Sequence, residues 1–255
     1  RFWQTIERFN ISAVWFVPSI VRGLLKMAES TDGETLKQRG RNLEIAFLGT
    51  APIELGAKTE FEKIFDVRLL ENFALSETTF ISSETEEDLE MRKEGSVGRI
   101  LPYVNLKLMN TDCEEDENLA SEIYVDSPFL FEGYLLGDGT LYSKLDNGYF
   151  PTGDLGIVDS NDQLVITGRK RDIIKKGGYL VSLREIEVLA EKYPYVYEAA
   201  AAKTPHNFYG ESFVLFVILN NSSEYEGNQI QSINNYIHNN LIQEKWPDKV
   251  IVKTD

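Results

Sequence analysis

Cysteine and histidine are almost missing from this chain of 255 residues, which holds one Cys, Cys113, and two His, His206 and His238. One thiol excludes an intrachain disulfide, and Cys113 sits among Asp112, Glu114, Glu115 and Asp116, whose carboxylates disfavour a reactive thiolate. Both features predict a reducing compartment, the cytosol. So few soft ligands leave little from which to build a zinc site, and any metal is expected to be a hard, oxygen-bound ion. No apolar run approaches the roughly 20 residues that span a bilayer, and the first residues lack the order of a signal peptide. Basic surplus is missing too: 41 acidic side chains face 26 basic ones, a net charge of -15 that repels nucleic acid and anionic lipid. The densest basic run, residues 169–176, is short and interrupted by Asp172, Ile173 and Ile174.

What is present suffices for a core. The chain is 42% hydrophobic and 11% aromatic, enough for one large domain or two smaller ones. It begins with Arg1 rather than Met and enters at once an amphipathic helix over residues 2–9; at the other end a strand over 250–252 is followed by three residues. Both ends are expected to be cut from a longer protein. Residues 11–17 form an apolar, β-branched and aromatic run that predicts a buried strand, and 19–28 follow with helical spacing. The alternation repeats: a strand over 43–48, a helix over 55–65 with Leu55, Phe61, Ile64 and Phe65 inward, and a strand over 67–72. This predicts helices on a largely parallel sheet. The polar stretch 29–41 reads as a loop.

After about residue 95 the pattern changes to short strands between Gly, Pro and acidic turns, over 104–109, 122–125, 149–150, 156–158 and 163–167, which predicts a β subdomain. From Gly168 a third region holds a charged segment, a glycine pair, and a helix opened by Ser182 with Glu185 as its capping-box partner. In a last helix Ile230, Ile233, Ile237 and Leu241 share one face. The expected class is α/β: the end of a large α/β domain with a β subdomain (residues 1–168), then a small mobile α+β domain (169–255).

Three segments set glycine, hydroxyl and charge where a strand ends, the usual place for ligands in open α/β sheets. Gly49-Thr50-Ala51-Pro52 allows close approach of a backbone or a flat ligand. Glu71-Asn72-Phe73-Ala74-Leu75-Ser76-Glu77 places a ring that can stack on a base near a carboxylate that can hold Mg2+. Thr152-Gly153-Asp154 offers a carboxylate in a tight turn, able to accept both hydroxyls of a ribose, and Gly168-Arg169 follows with a guanidinium for ribose or phosphate. Taken singly, each also fits an ordinary turn, core or surface role.

Together, in order and spacing, these segments resemble the adenylate-forming superfamily of acyl-CoA synthetases, luciferases and peptide-synthetase adenylation domains. Gly49-Thr50-Ala51-Pro52 resembles its Gly-Gly-Ala-Pro turn, Phe73 to Glu77 its Tyr-Gly-x-Thr-Glu, and Thr152-Gly153-Asp154 its Thr-Gly-Asp. Residues 168–187 resemble its Gly-Arg…Asp…Ile-Lys…Gly-Gly…Glu-Ile-Glu segment, and Tyr209-Gly210-Glu211 its Tyr-Gly-Glu.

The resemblance implies that Phe73 stacks on adenine with Glu71 and Asn72 beside it, that Glu77 helps hold Mg2+, and that Asp154 takes the ribose hydroxyls with help from Arg169. It implies a hinge at Arg171, where the family has Asp or Lys, and a pantetheine tunnel lined by Gly177, Gly178 and Tyr179. The implied activity is formation of an acyl adenylate from ATP and a carboxylic acid, then transfer to coenzyme A. The segment Lys176-Gly177-Gly178 favours coenzyme A over a carrier-protein phosphopantetheine arm. Phe73, Ala74 and Ser76 replace the usual Tyr, Gly and Thr, and with Arg171 they motivate a rival expectation, a nucleotide-binding or interaction protein without catalysis. The phosphate loop is expected upstream of Phe2 and the catalytic lysine beyond Asp255, so this chain alone is expected to be inactive.

Overall fold

The computed structural model describes residues 2–29, 35, 38, 41–51, 53–109, 121–220 and 229–253. Pro52, Cys113 and most of the stretch 29–41 lie outside them. The chain divides into two compact units, Arg1–Ile166 and Thr167–Asp255.

The first unit opens with helix α1 (Phe2–Phe9), strand β1 (Ala13–Phe16), helix α2 (Pro18–Ala28), strand β2 (Ile45–Leu48), helix α3 (Leu55–Phe65) and strand β3 (Arg68–Leu75). Pro18 starts α2, where its missing N–H costs nothing. Asp66, left-handed at φ 57°, ends α3 by donating its N–H to Glu62 O at 2.9 Å. β1, β2 and β3 pair in parallel, with Phe16 level with Leu48 and Leu48 with Glu71. Phe16 and Leu48 face a core built with Trp3, Ile6, Phe61 and Phe65. Only one sheet face is buried there: Trp15 is 44% exposed, so the expectation of a buried strand holds for Phe16 and fails for its neighbour. Leu55 and Ile64 of α3 are half-buried, whereas Lys58 is enclosed with Phe61 and Phe65.

Parallel pairing stops at β3. Its second half turns back antiparallel to β4 (Thr79–Ser83), and the hydrogen-bonded path continues to nine strands in the order β1-β2-β3-β4-β5-β11-β10-β7-β6. These are β5 (Ser96–Ile100), β6 (Asn105–Met109), β7 (Ser121–Asp126), β10 (Phe150–Val158) and β11 (Gln163–Arg169); β8 (Tyr134–Leu135) and β9 (Leu141–Tyr142) form a separate ribbon. The antiparallel part has its own core of Ile81, Val97, Ile123, Val125 and Leu164. The short strands expected at 149–150 and 156–158 are one strand, β10, because Gly153 at φ 78° and a register shift between Pro151 and Leu155 carry the chain through as a bulge.

The second unit holds β12 (Ile173–Lys176), β13 (Tyr179–Ser182), helix α4 (Leu183–Glu191), β14 (Val196–His206), β15 (Gly210–Leu219), helix α5 (Gln229–Asn240) and β16 (Lys249–Lys253). Both helices back a five-stranded sheet through Ile186, Ala190, Ile233 and Ile237, packed on Phe213, Leu215 and Val217. Ile230 departs from the expected apolar stripe and is 47% exposed. Ser182 caps α4 by accepting from Glu185 N at 3.4 Å, but the Glu185 carboxylate instead takes Lys245 Nζ at 2.7 Å, so half of the capping box forms.

Candidate functional site

The parallel strands end at Phe16, Leu48 and Glu71, and two of the three candidate segments start there. Gly49 is buried and donates its N–H to Phe16 O at 3.3 Å; Thr50, at φ 79°, turns the chain out to solvent with Ala51. A Cβ on Gly49 would stand 3.0 Å from Asn72 Oδ1 and 3.1 Å from Trp15 Cζ2, so the absence of a side chain lets β1, β2 and β3 converge. Asn72 is buried, and its Oδ1 accepts no hydrogen bond among the described residues. A buried amide oxygen without a donor costs about 1–3 kcal/mol, which a ligand N–H or O–H would recover. Beyond it, Phe73 and Leu75 are half-buried against the antiparallel core, and Ala74 and Ser76 are exposed. Phe73 is thus both a core residue and an accessible ring.

Glu77 follows in the turn between β3 and β4. Its Oε1 accepts from Tyr134 Oη at 2.7 Å, and its backbone O accepts from Phe131 N at 2.8 Å. Burial, then the Glu77 hydrogen bond and charge, pushes the Tyr134 phenol up to about 12, so it stays a donor. Oε2 carries no hydrogen bond among the described residues, and no cluster of three or more His, Cys, Asp or Glu surrounds it there. One carboxylate with a free oxygen fits Mg2+, which keeps most of its waters and takes its other ligands from substrate phosphates.

Asp154 lies four strands further along the path from β3, inside the β10 bulge rather than in an isolated turn. Thr152 shapes that bulge: its Oγ1 donates to Ile123 O at 2.8 Å and accepts from Asp154 N at 3.0 Å. Asp154 is 4% exposed. Arg169 ends β11 in the second unit, exposed. Arg171 follows in a 3-10 turn, its side chain 75% exposed and 3.7 Å from Asp172.

Gly177 and Gly178 form the two-residue turn between β12 and β13, at φ 58° and 96°. Hairpins of this kind need positive φ at both central positions, which is why a glycine pair stands there. A Cβ on Gly177 would meet the Tyr209 ring at 2.9 Å, while one on Gly178 meets nothing within 4 Å. Tyr179 is 53% exposed beside them. Smallness at Gly177 therefore serves the protein's own Tyr209, and the open side of the turn is at Gly178. In the Tyr-Gly-Glu segment Glu211 ties the unit together, accepting from Lys175 N at 2.8 Å and pairing with Lys203.

The residues that sequence patterns did not single out lie behind β3. Lys58 Nζ, from α3, donates to Glu71 Oε2 at 2.9 Å and Glu84 Oε1 at 2.8 Å, and Glu84 Oε2 accepts from Glu71 N at 2.7 Å. Arg92 reaches both Glu62 oxygens and donates to Leu69 O at 2.7 Å. The spacing 58, 61, 65 puts Lys58 on the buried stripe of α3, the one signal that could have found it. Burial pushes the Glu71 carboxyl up to about 7 against the pull of Lys58. With a folded pKa above the ordinary 4.5, Glu71 holds its proton better in the native state. Its contribution to stability is full below pH 4.5 and falls as pH rises through 7, by roughly 3 kcal/mol. Glu71→Gln is expected to flatten the urea-midpoint profile between pH 5 and 7.5; an unchanged slope would contradict this assignment.

Comparison with known proteins identifies the family. The family described as AMP-binding enzyme matches residues 1–135. Malonate–CoA ligase of Arabidopsis thaliana is 33% identical over 225 residues, covering 86% of this chain and 36% of the relative. The 4-coumarate–CoA ligase 1 of Narcissus pseudonarcissus is 27% identical over 240 residues, covering 91% of this chain and 43% of the relative. The crystal structure of ATP-bound MatB from Rhodopseudomonas palustris superposes with a TM-score of 0.82 at 26% identity, covering 100% of this chain and 49% of that one. The chain thus spans well under half the length of these curated relatives and about half of the solved chain. No described helix is long and apolar enough to cross a membrane. With a family match over more than half of its length, this chain belongs to the AMP-binding enzyme family.

Proposed function

We propose that the full-length protein is an AMP-forming acid–thiol ligase that joins a carboxylic acid to ATP, releases pyrophosphate, and passes the acyl group to coenzyme A. The observation that carries this reading is the buried, unpartnered Asn72 oxygen at the Gly49 turn, one residue before the accessible Phe73 ring. A lone acceptor suits the amino group of an adenine, and an accessible ring suits its flat face.

In this reading Phe73 stacks on the base, Glu71 and Asn72 flank it, and Gly49, Thr50 and Ala51 border the same site. Ala74, Leu75 and Ser76 lead the backbone on to Glu77. The Asp154 carboxylate receives the ribose hydroxyls, and Arg169 assists. The acid carboxylate attacks the α-phosphorus, the bond to the pyrophosphate oxygen breaks, and the thiol then displaces AMP. Positioning and charge complementarity supply the rate. Mg2+, held through Glu77 and the phosphates, would neutralise charge on the leaving pyrophosphate. The chain divides for this purpose into residues 1–168, carrying the nucleotide, and a mobile 169–255, swinging at Arg171 to bring Gly178 and Tyr179 to the pantetheine arm. A single thiol and two histidines suit a reducing cytosol. ATP-bound MatB and the two CoA ligases support the same reading by their names.

The test is pyrophosphate release by the full-length protein with Mg·ATP over a panel of short, long and aromatic acids. Acid-dependent release that coenzyme A accelerates is expected. Release accelerated only by a phosphopantetheinylated carrier protein would change the acceptor, and nucleotide binding without release would replace the ligase by a non-catalytic relative.

A further inference from the structure

The nucleotide reading makes no use of Lys58 and Glu84, the buried charges that hold Glu71 from behind β3. Lys58 is 1% exposed, Glu84 2% and Glu71 6%, and each gives up hydration that the others must replace. Their contacts hold the β3 backbone along the edge that faces away from β2. Glu71 N donates to Glu84 Oε2 at 2.7 Å, and Glu84 N donates back to Glu71 O at 2.8 Å. One turn of α3 further on, Glu62 Oε1 accepts from Leu69 N at 2.8 Å while Arg92 donates to Leu69 O. The clamped residues lie where β3 leaves its parallel partner β2 for the antiparallel β4, one or two positions before Asn72 and Phe73. On the edge of β3 that faces away from β2, strand pairing with β4 starts only at Asn72, so Glu84, Glu62 and Arg92 stand in for a partner strand at Leu69 and Glu71.

We propose that Lys58 and Glu84 are positioning residues for the nucleotide: anchored in α3 and after β4, they fix the path of β3 at Glu71 and thereby aim the Asn72 amide and the Phe73 ring. This inference rests on the ATP reading above. The groups facing Glu71 are Lys58 from α3, Glu84 after β4 and Arg92 beyond, the last held by Glu62. Neither Lys58 nor Glu84 touches the nucleotide in this account; both act through β3.

The experiment separates positioning from plain stability. Replacing a buried ion pair by apolar residues of similar volume commonly restores stability, so the pair Lys58→Met with Glu84→Leu should fold with a melting temperature near that of the full-length wild type. Lys58→Arg, which keeps the charge and can still bridge two carboxylates, is the conservative partner. Pyrophosphate release under saturating acid gives KM for ATP and kcat for each protein. Misplacement of the base-binding strand predicts KM for ATP raised about tenfold in the double variant, kcat at saturating ATP changed far less, and Lys58→Arg close to wild type. A double variant with wild-type stability and wild-type KM for ATP overturns the proposal while leaving the ligase intact. A wild-type protein that releases no pyrophosphate with any acid overturns the ligase reading and this inference together. Should the double variant fail to fold, Glu84→Gln decides, since it keeps shape while removing charge: a raised KM for ATP supports positioning, and an unchanged one refutes it.

Discussion

Lys58→Met alone is expected to destabilise the protein by about 3–5 kcal/mol, a large share of the stability of a domain. The lysine is the shared donor of two carboxylates whose side chains are 8% and 0% exposed, so its removal leaves Glu84 buried beside Glu71 with only Arg92 to compensate. Protonation of Glu71, whose carboxyl already titrates near 7, relieves part of the repulsion, and the loss should be smaller at pH 5.5 than at pH 8. Urea unfolding at both pH values measures it. A loss within 1 kcal/mol at pH 8 would mean that the cluster is solvated in solution rather than enclosed as described.

The second large effect concerns Asp154. If its carboxylate takes both ribose hydroxyls, two hydrogen bonds to a charged acceptor are at stake, each contributing about 1.5–3 kcal/mol. Asp154→Ala in the full-length protein is then expected to lower kcat/KM for ATP at least about 100-fold. Because Asp154 is buried, its loss also touches the fold, and the urea midpoint must be recorded beside the kinetics. A drop in kcat/KM far larger than any shift of the midpoint accounts for is the expected combination. Equal kcat/KM in the two proteins would remove Asp154 from the site.

Local features of this chain were legible because they depend on neighbours a few residues apart. Helix α1 occupies the residues its spacing indicates, Phe2–Phe9, and the strand before α2 is displaced by only a residue or two at each end. The glycine pair marks a hairpin turn, although the reason it must be glycine is the positive φ at both positions. The three motif segments fall at strand ends and at a bulge, as punctuation by Gly and Pro suggests.

Partners distant in sequence were out of reach of such patterns. Glu84 meets Lys58 across 26 residues, and Tyr134 meets Glu77 across 57, and no periodicity encodes either meeting. The division of strand faces was equally hidden: Trp15 and Phe16 look alike in a run of apolar residues, yet one is 44% and the other 1% exposed, since the described residues cover one side of the sheet there more than the other. Phe73 shows the same limit from the other side. Its ring is half-buried against the core of the antiparallel strands, so the residue that most resembles a base-stacking platform is also a packing residue.

ATP is expected to bind at the strand ends around Gly49, Asn72 and Phe73, with Asp154 on β10. Amide hydrogen exchange of the full-length protein, with and without Mg·ATP, tests it most directly. Protection by ATP concentrated in peptides covering residues 47–54, 70–78 and 150–156 is the predicted result. Tight ATP binding that leaves all three peptides unprotected would contradict it.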